Sequence, residues 1–140
     1  MRLLIADDHS LVRHALSRML AVEEDIEIVG EADDGQAAVE MLGRCAPDVV
    51  LMDYQMPRMN GADATRRIKA LAPEVQVICF SMHEAAALER MLEAGAAAFV
   101  SKTADRGELV AALRLAAARR TSLGDPKGEY AASSRRRAVS

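Results

Sequence analysis

Five polar side chains stand directly after short apolar runs in this chain. Asp7 and Asp8 follow RLLIA, Asp53 follows VVLM, Ser81 follows ICF and Lys102 follows FVS. Three carboxylates brought together repel one another unless a cation neutralises them. Mg²⁺ suits such a donor set, because this hard ion takes one or two carboxylates, several waters and a phosphate oxygen. A lysine supplies a point charge for a phosphoryl oxygen, and a serine hydroxyl supplies a hydrogen bond. An acceptor carboxylate, a metal, a cation and a hydroxyl make a phosphoryl-transfer site with Asp53 as nucleophile. Taken singly, each residue has a plainer role. Asp8 or Ser10 could cap a first helix and Ser81 a later one. Asp53 could be a loop acid, Lys102 a solvated lysine and Phe99 a core residue. The set as a whole favours the chemistry.

The elements that must position these residues alternate along the chain. Strands are expected at Leu3–Ala6, Ile26–Val29, Asp48–Met52, Val75–Phe80 and Ala97–Val100. Between them, apolar residues recur at threes and fours over 10–22, 35–45, 84–94 and 105–119, the signature of helices. Leu11, Val12, Ala15, Leu16, Met19 and Leu20 form the first such face. Residues 61–71 read as a further helix stopped by Pro73. Five strands alternating with five helices imply an α/β domain with a parallel sheet, and VVLM is apolar on both faces as a doubly covered strand must be. In such sheets ligands sit beyond the carboxyl ends of the strands. Four of the five strands deliver the polar residues above to that one end.

Composition fits a single globular domain. The chain has 140 residues, 51% apolar and 28% charged, above the polarity range of membrane spans and below that of disordered chains. Aromatics at 3%, with no Trp, argue against a stacking platform for single-stranded nucleic acid. No apolar run reaches membrane-span length and the N-terminus lacks a signal peptide, so a cytoplasmic chain is expected. Cys45 and Cys79 have no metal-site spacing and read as buried thiols. Residues 1–118 carry 12 basic and 19 acidic residues, a net −7, whereas 119–140 carry 6 and 2, a net +4. Residues 120–140 also lose apolar periodicity and carry Gly124, Pro126 and Gly128, so a linker or disordered tail is expected there after a domain at 1–119. Arg135, Arg136 and Arg137 without a scaffold would give only salt-sensitive contacts to phosphates, which carry no sequence information.

IADDH, VVLMDYQMPRMNG, CFSMH and GAAAFVSKT, in this order, resemble the receiver domain of two-component response regulators from about Arg2 to Arg119. The resemblance implies a doubly wound (βα)5, flavodoxin-like fold with strand order 2-1-3-4-5. It implies Asp53 as phosphoacceptor and Mg²⁺ held by Asp7, Asp8, Asp53 and the main-chain carbonyl of Gln55. It implies Lys102 as phosphoryl contact and Ser81 with Phe99 as the pair that rearranges on phosphorylation. The phosphate would come from a partner sensor histidine kinase, and the aspartate would phosphorylate and dephosphorylate itself rather than act as a turnover enzyme. Gln55 and His83, each two residues beyond a site residue, are expected to tune phosphate lifetime. VGEADDG and SKTADRGELVAALR look like the LuxR-type (NarL/FixJ-like) branch, whose members add a helix-turn-helix domain after a linker. That likeness implies a homodimer when phosphorylated, and DNA binding only through an output domain beyond Ser140. Lys102 is followed by Thr103, where many receivers have proline, so the geometry of that peptide bond stays open. A stand-alone receiver that signals by docking is the alternative. A haloacid-dehalogenase-like phosphatase fits less well, because its nucleophile leaves strand one in an Asp-x-Asp arrangement.

Overall fold

The structure is a computed structural model that describes residues 1–82 and 85–124. Five strands, β1 (Arg2–Ala6), β2 (Glu27–Ala32), β3 (Val49–Met52), β4 (Gln76–Ser81) and β5 (Ala98–Ser101), form one sheet in the order β2-β1-β3-β4-β5. All four pairings are parallel. The helices are α1 (Ser10–Leu20), α2 (Gly35–Glu40), α3 (Leu42–Cys45), α4 (Gly61–Leu71), α5 (Ala85–Ala94) and α6 (Arg106–Gly124).

Alternation along each strand divides the core in two. Leu3, Ile5, Val49, Leu51, Ile78 and Phe80 pack with Leu16 and Leu20 of α1 and with Leu109 and Leu113 of α6. Leu4, Ala6, Val50, Met52, Val77 and Cys79 pack on the opposite face with Ala38 of α2, Ile68 of α4 and Met91 of α5. Both faces are covered, so the central strand β3 is apolar and buried throughout, whereas the edge strand β2 keeps Glu27 and Glu31 exposed; truncating a fully buried leucine such as Leu51 would cost about 2–5 kcal/mol.

The helices depart from the sequence expectation at three places. The 35–45 segment is two helices, because the chain turns at Met41 and ends at Ala46, left-handed at φ 47 before Pro47. Proline disfavours helical backbone at the residue before it, which stops α3 there. Leu11, assigned by periodicity to the buried face, is 83% exposed. The last helix does not stop at 119 but continues to Gly124, into the stretch expected to be linker. Arg119 donates to the Ala97 carbonyl and Arg120 lies 3.3 Å from Asp48, which anchors the helix where its apolar periodicity has faded. The remaining linker residues, 125–140, lie outside the described residues, as does His83.

Candidate functional site

Sheet register explains why the polar residues meet. Ala6, Met52, Cys79 and Phe99 lie in one row across β1, β3, β4 and β5. Asp7 and Asp53 each stand one residue past that row on adjacent strands, and Ser81 ends β4. Main-chain bonds hold the exits in place: Asp7 N donates to Ala32 O at 3.0 Å, Asp53 N to Ala6 O at 2.9 Å, and Lys102 N to Ser81 O at 2.9 Å. Among the described residues, Asp7, Asp8, His9 and Asp53 each offer a ligand atom within 4.8 Å of the others.

Lys102 closes the cluster. Its Nζ is 2.8 Å from Asp7 Oδ2 and 3.2 Å from Asp53 Oδ2, and both carboxylates are buried. The contact with Asp53 is a hydrogen bond. The contact with Asp7 is an ion pair poorly angled for one, and the buried Oδ2 of Asp7 has no hydrogen bond. Burial, reinforced by the charge of Asp7, holds the Asp53 carboxyl above the ordinary carboxylate range, while Lys102 and the Gln55 N–H work against it. Burial pulls the Lys102 ammonium down, but its contacts with Asp7 and Asp53 outweigh that and leave it raised. A buried acid pair with one lysine still carries excess negative charge. With Asp8 beside it, the carboxylate donor set is the hard-oxygen chemistry that suits Mg²⁺.

The cluster opens into a cavity of about 630 Å³ lined by Asp8, Asp53, Gln55, Ser81, Met82 and Lys102, among others. Ser81 is buried and Gln55 exposed on that wall. Phe99 is not in this wall. It is half-buried against the core beneath α4 and α5, and it borders a second cavity of about 420 Å³ with Ala104 and Ala112. The Lys102–Thr103 bond is trans, and Ser101 Oγ holds the turn by accepting from Thr103 N at 3.1 Å. Neither Asp8 nor Ser10 caps α1. His9 holds the N-cap position without a side-chain cap bond.

Several site residues carry no separate signal in the sequence. The His9 ring turns back onto the acid pair, with Nδ1 3.1 Å from both Asp7 Oδ1 and Asp8 Oδ1. Arg13 bonds the Asp7 carbonyl. Arg58, left-handed at φ 67, pairs with Asp34, whose carboxylate caps α2 through Ala37 N. The loop after Asp53 is further tied down by Arg90 of α5, which donates to the Tyr54 hydroxyl at 3.0 Å. Gly61 is required: a Cβ there would lie 2.2 Å from the Asp53 carbonyl oxygen. The NG pair in MPRMNG is the one sequence hint of that close approach.

The sequence profile of the response regulator receiver domain matches residues 3–114. The response regulator GacA of Pseudomonas viridiflava is 40% identical over 115 residues, covering 81% of this chain and 54% of that protein. The transcriptional regulatory protein PdtaR of Mycobacterium tuberculosis (strain ATCC 25618 / H37Rv) is 43% identical over 137 residues, covering 96% of this chain and 65% of that protein. Among solved structures, the signal receiver domain of NarL from Mycobacterium tuberculosis superposes with a TM-score of 0.77 at 38% identity, covering 84% of this chain and 95% of that one. The chain spans about half to two-thirds the length of these curated relatives.

Proposed function

We propose, from the premise that this chain belongs to the response regulator receiver domain family, that it is a phosphorylation-activated signalling switch with Asp53 as phosphoacceptor. The observation that carries this reading is the placement of Lys102, whose ammonium spans Asp7 and Asp53 at the open end of the sheet. A carboxylate oxygen of Asp53 attacks the phosphorus of a phosphohistidine on a sensor kinase. The new P–O bond forms as the P–N bond breaks, and the histidine nitrogen leaves with the electron pair and takes a proton. Lys102 is in place to hold a phosphoryl oxygen, and the Ser81 hydroxyl to donate to another. Asp7, Asp8 and Asp53, with the Gln55 carbonyl, would hold Mg²⁺, which when bound supplies neutralising charge for the transferring group.

Phosphorylation would draw Ser81 toward the phosphoryl group and Phe99 inward, biasing the face formed by α5, β5 and α6. A ligand shifts such an equilibrium only through contacts that differ between the two states, and the Ser81 hydrogen bond is one. Gln55, exposed on the cavity wall, is suited to tune attack by water on the acyl phosphate. The output we propose is transcriptional, through a DNA-binding domain following the linker and paired as a homodimer when phosphorylated. It draws on likeness to transcriptional regulators such as PdtaR. By itself the 140-residue chain should bind DNA weakly and without sequence preference. Among the described residues no helix is long and apolar enough to cross a membrane.

The test is phosphoryl incorporation from a small donor such as acetyl phosphate, with and without Mg²⁺. The reading expects incorporation in the wild type, none in Asp53→Asn, and a marked loss without Mg²⁺ or in Asp8→Asn. Full incorporation into Asp53→Asn would overturn the assignment.

A further inference from the structure

Among the described residues, His9 is the one nitrogen donor in an otherwise all-oxygen cluster of candidate metal ligands. We infer that His9 Nδ1 is an additional metal ligand, which turns the site's preference from Mg²⁺ toward a first-row transition cation such as Mn²⁺, Co²⁺ or Zn²⁺. The inference rests on reading Asp7, Asp8 and Asp53 as the metal cradle.

Geometry is the first argument. Ligands on neighbouring vertices of an octahedral ion with bonds of about 2.1 Å lie about 3.0 Å apart, and those on opposite vertices about 4.2 Å. Nδ1 stands 3.1 Å from Asp7 Oδ1 and 3.1 Å from Asp8 Oδ1, and all four donor groups fall within 4.8 Å. One cation therefore reaches all four with small side-chain adjustments.

The backbone is the second argument. His9 has extended dihedrals at the start of α1, its main-chain N–H is held by Asp7 Oδ1 at 2.9 Å, and its ring makes no helix-cap bond. The acid whose carboxylate the ring faces thus also fixes where the ring starts. Lys102 occupies the other oxygen, with Nζ 2.8 Å from the buried Asp7 Oδ2, so Oδ1 is the Asp7 oxygen left toward the ring and a cation beside it. Access is open, since the His9 side chain is 64% exposed.

Donor chemistry sets the direction of the preference. Carboxylates and carbonyls suit Mg²⁺ and Mn²⁺ alike, whereas imidazole adds most to Co²⁺, Ni²⁺ and Zn²⁺ and little to Mg²⁺. Every nitrogen–oxygen site follows that general order, so the informative quantity is the change in preference on removing His9, not the preference itself.

The experiment titrates Co²⁺, followed by its visible absorption, and Mg²⁺, followed by calorimetry, into the whole chain and into His9→Ala, His9→Gln, His14→Ala and Asp8→Ala. His9→Ala should weaken Co²⁺ roughly tenfold or more while leaving Mg²⁺ nearly unchanged. The Co²⁺ complex should show a strongly shifted imidazole N–H proton resonance that is lost in His9→Ala and kept in His14→Ala. If Asp8→Ala loses both metals but His9→Ala leaves their ratio and the resonance unchanged, the cradle stands and His9 is overturned as a ligand. If Asp8→Ala and the wild type bind both metals equally, the cradle reading fails.

Discussion

Replacing Lys102 with Met keeps the length of the side chain and removes a cation that lies within 3.2 Å of two buried carboxylates. At an effective dielectric of 20, the attractions at 2.8 and 3.2 Å correspond to about 6 and about 5 kcal/mol, which are ceilings rather than net values. Desolvation of the ammonium returns when it is removed, and breaking a buried pair typically costs 3–5 kcal/mol. Lys102 keeps 13% exposure beside an open cavity, so the low end applies, about 3 kcal/mol at neutral pH or roughly a 10 °C fall in Tm. The sign follows from Asp53. Its carboxyl is raised in the fold, so the stability it contributes is present below the ordinary carboxylate value and is lost as pH rises through the raised one. Lys102→Met raises it further, so the deficit is large at neutral pH and shrinks as acid protonates Asp53. Differential scanning calorimetry of both proteins between pH 4 and 8 measures this. A deficit below about 1 kcal/mol at pH 7, the scale of an exposed pair, would refute the account of this charge cluster.

Asp34→Ala removes the α2 cap and the partner of Arg58, and should cost about 1 kcal/mol by urea denaturation. The bond from Ala37 N, with Arg58 beside it, holds the Asp34 carboxyl below its ordinary value. Its contribution is therefore present above that value, and the difference from wild type should vanish as pH falls through the lowered one. Tyr54→Phe frees Arg90 and should speed amide exchange in α5 while changing global stability by no more than about 1 kcal/mol; unchanged exchange would show that the bond does not hold α5. Burial pushes the Cys79 thiol up to about 12, with the charge of Asp53 adding to it, so iodoacetamide at pH 8 should label it only after unfolding, as read by mass spectrometry.

That these side chains meet was legible because carboxylates, a serine and a lysine at the ends of apolar runs are improbable as core residues, and a parallel sheet gathers its strand ends on one side. Strand order followed from the resemblance, not from periodicity, and it is the register within that order that sets Ala6, Met52, Cys79 and Phe99 in a row. What escaped the sequence depends on rotamers and on distant pairings. ADDH names a histidine but not the direction of its ring, and the Tyr54–Arg90 bond joins residues 36 apart. The break at Met41 was hidden because apolar residues at 38, 41, 42 and 45 keep helical spacing straight across it. The extension of α6 was hidden for the opposite reason: Arg119 and Arg120 anchor backbone that has no apolar stripe.

The most direct test of the central claim, that Asp53 is the phosphoacceptor, is to locate the acyl phosphate itself. The chain is incubated with acetyl phosphate and Mg²⁺, reduced with borohydride to convert any aspartyl phosphate to homoserine, and sequenced by tandem mass spectrometry. The account predicts homoserine at position 53 and nowhere else. Homoserine at position 7 or 8, with Asp53 intact, would contradict it.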